Sequence, residues 1–130
     1  MKTVEDVISR LGPKCRELIE SRYLDVLREL LNTSIELNDR DVEVLKVLAN
    51  PIRLRMVALM LRIAKPLPLC ILAEALDIDI QSIIYHVKKL RSVGILREHG
   101  YGRLRIVEVD KDVVANAFRK LLILLNLAPR

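Results

Sequence analysis

The sequence predicts a mainly α-helical protein with one small antiparallel β-hairpin. Three observations predict it. Apolar residues recur at helical spacing along most of the chain, and each stretch is bounded by a capping residue, a proline or a glycine. Residues 95–109 depart from this and shift to the alternation of strands. The composition, 52% apolar but only 3% aromatic over 130 residues, sustains a core built from Leu, Ile and Val.

The elements follow in order. Val4, Val7, Ile8 and Leu11 form a short amphipathic stretch that ends at Gly12. Pro13 suits the first turn of a second helix, where a backbone N–H would lack a partner anyway. That helix is expected to run to about Leu31, with Leu18, Ile19, Leu24, Leu27, Leu30 and Leu31 on a wide stripe. Polar Asn32, Thr33 and Ser34 break it. Asn38 can cap a helix over 39–49, whose first turns carry Asp39, Asp41 and Glu43. Asn50 and Pro51 repeat that grammar. The helix they start, to about Arg62, is expected to bury Leu54, Val57, Leu59, Met60 and Leu61.

Pro66 and Pro68 make residues 64–69 an extended linker with room for one short strand. A short helix from Cys70 to Leu76 leads into a turn, Asp77-Ile78-Asp79. Asp79 can cap the next helix and Gly94 ends it. Two strand-like runs then flank a four-residue loop, His99-Gly100-Tyr101-Gly102, with Leu104 and Ile106 on one side and Arg103 and Arg105 on the other. Asp110 starts a last helix over about 111–127. Its stretch Leu121 to Leu125 is apolar all round and needs cover on several sides. In so small a protein the expected cover is a second subunit.

The charge is unevenly spread. Residues 1–50 carry 8 basic and 10 acidic groups, residues 51–109 carry 10 and 5, and residues 110–130 carry 4 and 2. The positive excess falls on the segment holding the last turn, helix and hairpin. A polyanionic partner is the natural inference, nucleic acid first. No apolar run is long enough to span a bilayer, and the amphipathic start lacks a signal region, so a cytoplasmic protein is expected. Cys15 and Cys70 are expected to be free and buried, or disulfide-bonded in a hyperthermophile. The single glutamine and the many Ile, Leu, Glu and Arg residues lean toward such a source.

Helix, tight turn, helix and hairpin, in that order, are the elements of a winged helix-turn-helix. The second helix of the pair divides its faces. At about 100° per residue, with Gln81 at 0°, Tyr85 falls near ~40° and Lys88 near ~340°, while Leu90, Ile83 and Val87 fall near ~180°, ~200° and ~240°. Ser82 and Lys89 flank the polar side near ~100° and ~80°. DNA reading needs this division, because the domain holds the apolar side while amide, phenol and ammonium groups enter the major groove. A plain amphipathic surface helix would also bury one face. Against that, no acidic residue stands between Ile80 and Gly94. In the hairpin, Arg97, Arg103 and Arg105 can reach phosphates or the minor groove, or can simply keep an exposed edge soluble.

The stretches "VLKVLANPIRLRMVALML" and "LAEALDIDIQSIIYHVKKLRSVGIL", then a hairpin and a final helix, resemble the ArsR-type winged-helix repressors. The resemblance covers residues 42 to about 125. It implies a homodimer with the first and last helices packed between subunits, bound to a dyad-symmetric operator of double-stranded DNA. Many members of that family sense metal, and here the sequence departs from them. Cys70 is preceded by Pro68 where a second thiolate would be needed, and is most simply a core residue. Asp110 and Asp112 could match the start of a ligand set on the last helix, but Ile123 and Asn126 lie where the far ligands would fall. The two histidines, His86 and His99, are both in the DNA-binding half. No metal and no cofactor is therefore expected, and no effector is indicated. No phosphate-binding glycine loop, HExxH or nucleophile elbow occurs, so an enzyme is not expected.

These observations assign residues 1–38 to an N-terminal helical extension, 39–109 to a DNA-binding domain and 110–130 to a dimerising helix. Gln81 and Tyr85 are the expected base contacts, and Ser82 could serve a base or a phosphate. Lys88, Lys89, Arg103 and Arg105 are expected on phosphates, with Arg97 and Tyr101 completing the DNA-binding set. Leu18, Leu27, Leu30, Phe118, Leu121, Leu122 and Leu125 are expected at the dimer interface. Other readings are an abundant, weakly specific chromatin-like DNA binder and a protein–protein winged-helix module.

Overall fold

A computed structural model of the chain describes residues 2–128. The chain divides into two compact units, one ending at Glu36 and one starting at Leu37.

The first unit is helical. Helix α1 (Val4–Ser9) opens with a reciprocal cap: Thr3 Oγ1 accepts from the Asp6 N–H at 3.1 Å, and Asp6 Oδ2 accepts from the Thr3 N–H at 3.1 Å. Each bond satisfies a donor that the helix leaves over. Pro13 starts α2 (Pro13–Leu18), as its fixed φ favours. The predicted single helix over 13–31 contains a wider turn. Residues Ile19–Tyr23 are π-helical before α3 (Leu24–Asn32) resumes. Tyr23 leaves helical geometry at φ −120°, ψ 14°, and the hydroxyl of Ser21 donates back to the Leu18 carbonyl at 3.2 Å. Such back-bonding loosens the regular ladder. Among the described residues of this unit only Leu27 is buried.

In the second unit, four helix starts use the caps read from the sequence. Asn38 Oδ1 accepts from the Arg40 and Asp41 N–H groups at α4 (Asp39–Leu48). Asn50 Oδ1 does the same for Ile52 and Arg53 at α5 (Pro51–Ile63). Asp79 and Asp110 cap α7 (Ile80–Ser92) and α8 (Lys111–Leu124). These caps supply acceptors for backbone N–H groups that have no helical partner.

The linker contributes β1 (Leu67–Pro68), and α6 (Leu69–Leu76) follows it. The wing strands are β2 (Leu96–Tyr101) and β3 (Leu104–Val109), and the antiparallel sheet has the order β1-β3-β2. Pro68 is tolerated because it lies on an edge strand. Val44, Met56, Val57, Leu72, Ile83, Val87, Leu90, Ile95 and Val107 form the centre of the core, and Ala117 joins α8 to it.

Three expectations are corrected. First, α5 buries Met56, Val57 and Met60, while Leu54 and Leu61 are exposed and Leu59 is half-buried. The three buried residues centre on a direction from which Leu54 and Leu61 lie about 100° away, given about 100° per residue. Apolar residues surround this helix, so periodicity could not choose the inward stripe. Second, Cys70 is exposed and free, as is Cys15. Leu69, Leu72 and Ala73 form the inward face of α6, which turns Cys70 away from the core. Third, the hairpin loop has two residues, Gly102 and Arg103, because Tyr101 pairs with Leu104. Gly102 takes φ +61°, the backbone conformation such a tight hairpin turn requires at its first position.

Candidate nucleic-acid interface

The candidate site is built on α6, the turn, α7 and the wing. The turn is tight because Asp77 adopts the left-handed conformation at φ 52°, which Asp tolerates better than most residues. Asp79 then caps α7 by accepting from the Gln81 N–H at 3.0 Å. Ile83, Val87 and Leu90 are each 0% exposed. They hold α7 against the core by one stripe. Gln81, Tyr85, Lys88 and Lys89 are exposed, and Ser82 is half-buried. The Lys89 ammonium lies 5.6 Å from the centre of the Tyr85 ring, within cation–π range. The structure therefore gathers the five helix residues singled out from the sequence on the outward side of α7 or its margin.

Beneath them lies a residue the sequence analysis did not place. His86 is 7% exposed, and its ring meets the Tyr85 ring edge-on at 5.2 Å. The Arg53 NH1 group donates to His86 Nδ1 at 3.2 Å, and Arg53 Nε donates to the Val47 carbonyl at 2.6 Å. Guanidinium is only a donor, so Nδ1 must carry the lone pair and the imidazole is neutral with its proton on Nε2. Burial holds the His86 pKa below the ordinary value, and the Arg53 charge lowers it further. Arg53 thereby ties α5 to α4 and to α7. At about 100° per residue His86 falls near ~140°, between Lys89 and Leu90 on the helix, so the helical period carried a signal for its burial that was not used.

The wing places its charges by strand register. Glu98 opposes Val107, and Gly100 opposes Arg105, so Glu98, Arg105 and Val107 share the core-facing side of the sheet. Glu98 Oε1 accepts from Arg105 Nε at 2.7 Å, and Glu98 Oε2 accepts from Arg91 NH1 at 2.8 Å. Arg97 pairs with Glu108 across the strands at 3.6 Å. Lys88, Lys89 and Arg103 hold no carboxylate among the described residues. Tyr101 and Arg103 stand exposed at the tip of the hairpin. Arg91 was missed from the sequence. Its signal was present in the acid-free run of α7, but its tie to Glu98 depends on the wing.

The expected interface leucines are distributed unequally. Leu18 and Leu30 are exposed in the first unit, while Leu27 is buried within the chain. In the second unit Phe118, Leu122 and Leu125 are exposed and Leu121 is half-buried. Among the described residues no three His, Cys, Asp or Glu side chains group as metal ligands would. No described helix is long and apolar enough to cross a membrane.

No protein-family model matches the chain, and no curated protein matches it. Solved structures do. The crystal structure of an ArsR family transcriptional regulator superposes with a TM-score of 0.59 at 23% identity, over 69% of this chain and 90% of that one. The homodimeric winged helix-turn-helix DNA-binding domain of a possible ArsR-family regulator from Mycobacterium bovis gives 0.55 at 20% identity, over 68% and 80%. The transcriptional regulator HlyU from Vibrio vulnificus gives 0.51 at 24% identity, over 65% and 84%. Each likeness falls under 25% identity and so speaks to architecture: this chain has the winged helix-turn-helix fold found in ArsR-family transcriptional regulators.

Proposed function

We propose that the protein is a homodimeric transcriptional regulator that binds double-stranded DNA sequence-specifically in the cytoplasm, acts as a repressor and performs no catalysis. The observation that carries this reading is the division of α7. Its apolar stripe is fully withdrawn from water while Gln81, Tyr85, Lys88 and Lys89 face outward on a helix with no acidic side chain. A helix so held can enter a major groove with its amide and phenol on base edges and its ammonium groups on phosphates. The exposure of Arg103 and Tyr101 at the wing tip supports a contact with the adjacent backbone.

Dimerisation is supported by the exposed Phe118, Leu122 and Leu125 of the terminal helix and its end, which a monomer would leave in water. A two-fold dimer presents two copies of α7, so its operator should have dyad symmetry with half-sites about one helical turn apart. The test is to select fragments from the host genome with purified protein at moderate salt. Enrichment of one dyad-symmetric motif is expected. Binding that falls steeply with salt yet enriches no motif would mean a weakly specific DNA binder. No binding at low salt would mean a protein–protein module.

A further inference from the structure

The wing and the recognition helix meet at an ionic group of three residues. Glu98 lies midway along β2, and its side chain is 13% exposed. Both of its oxygens are used, one on Arg91 of α7 and one on Arg105 of β3, at 2.8 and 2.7 Å. The two arginine side chains are 48% and 45% exposed. The carboxylate therefore lies beneath and the guanidinium groups lie above it, toward solvent. Each guanidinium has five N–H donors and gives one of them to Glu98, so each keeps a free edge. Two like charges are held side by side by the anion between them, and the group keeps a net charge of +1.

We propose that Arg91 and Arg105 form one phosphate clamp joining the recognition helix to the wing, with Glu98 as its positioning residue. This rests on the DNA-binding reading above and deepens it. Arg91 lies one turn beyond Lys88, on the flank of α7 that meets the wing, and Arg105 rises from the wing itself. A DNA strand that passes from a helix in the groove to the wing runs by this junction. A phosphodiester offers two anionic oxygens, which match a pair of guanidinium edges better than flexible ammonium groups do. Glu98 contributes by fixing both rotamers before DNA arrives, so less side-chain freedom is lost on binding.

Charge alone predicts the opposite effect of Glu98, and this makes the idea testable. Affinity for a duplex of about 25 base pairs is measured across a salt series for the full chain and for Arg91→Ala, Arg105→Ala, Glu98→Gln and the pairwise combinations. Thermal unfolding of each variant is followed in parallel. Loss of one phosphate contact should reduce the slope of log K against log salt by about 0.9. Arg91→Ala and Arg105→Ala are each expected to do so. Glu98→Gln removes one negative charge, yet is expected to weaken binding several-fold and to flatten the slope. Adding either arginine change to Glu98→Gln should then cost less than in the unmodified chain. Tighter binding and a steeper slope for Glu98→Gln would overturn the proposal, as would weaker binding with an unchanged slope, which marks a merely structural role. If the unmodified chain binds DNA but neither arginine change moves the slope, the clamp alone falls. If it binds no duplex at low salt, the DNA-binding reading falls and the clamp with it.

Discussion

Acid should destabilise this protein through His86. In the folded chain its Nδ1 accepts from Arg53 NH1 at 3.2 Å, and a guanidinium offers donors but no acceptor. Protonating His86 turns that acceptor into a donor and sets two cations against each other in a part-buried site. The folded pKa therefore lies below the ordinary histidine value, through burial first and Arg53 second. The sign follows. Between the folded pKa and the ordinary value of about 6.5 the unfolded chain binds the extra proton, so stability rises with pH across that window. The contribution is complete above about pH 6.5, fades as pH falls below it, and is gone once the folded pKa is passed. One proton limits the slope to about 1.4 kcal/mol per pH unit. Urea unfolding from pH 5 to 8 measures it. His86→Gln is the matched control, since its side-chain oxygen can still accept from Arg53 but does not titrate. The unmodified chain should lose stability below pH 6.5 relative to this variant, and His86 should show the Nε2–H tautomer by nitrogen NMR. Parallel stability curves for the two proteins over this range would refute the reasoning.

Four other outcomes are expected. Gln81→Ala should cost roughly 1–3 kcal/mol on the preferred operator and much less on random DNA, measured by competition binding. Equal loss on all sequences would remove Gln81 from base readout. Lys88→Ala should weaken both kinds of DNA alike and flatten the salt dependence by about one unit. Leu122→Glu should split the dimer or unfold the chain, because a carboxylate buried without a partner is costly. Light scattering checks this, and a stable folded monomer of the unmodified chain would defeat the dimer. Asn50→Ala removes the acceptor for the Ile52 and Arg53 N–H groups and should cost about 1 kcal/mol in thermal unfolding.

Features that depend on near neighbours were legible from the residues alone. The caps Asn38, Asn50, Asp79 and Asp110 bond donors two or three residues away, so their roles were legible before any fold was known. The inward stripe of α7 was legible for a similar reason. Polar residues fill its other side, so Ile83, Val87 and Leu90 had one direction in which to point. Where apolar residues surround a helix, that logic fails. Only the docking of α5 decided that Met56 goes in and that Leu54 and Leu61 stay out, and only the docking of α6 turned Cys70 to the surface. The polar pairings were hidden too. Arg53 meets His86 across 33 residues, and Glu98 meets Arg91 and Arg105 only once the two-residue turn sets the register of the wing. A helix period or a cap is set within one turn of chain. The partner of a buried imidazole or a shared carboxylate is set by which elements come to lie side by side, and no local pattern encodes that.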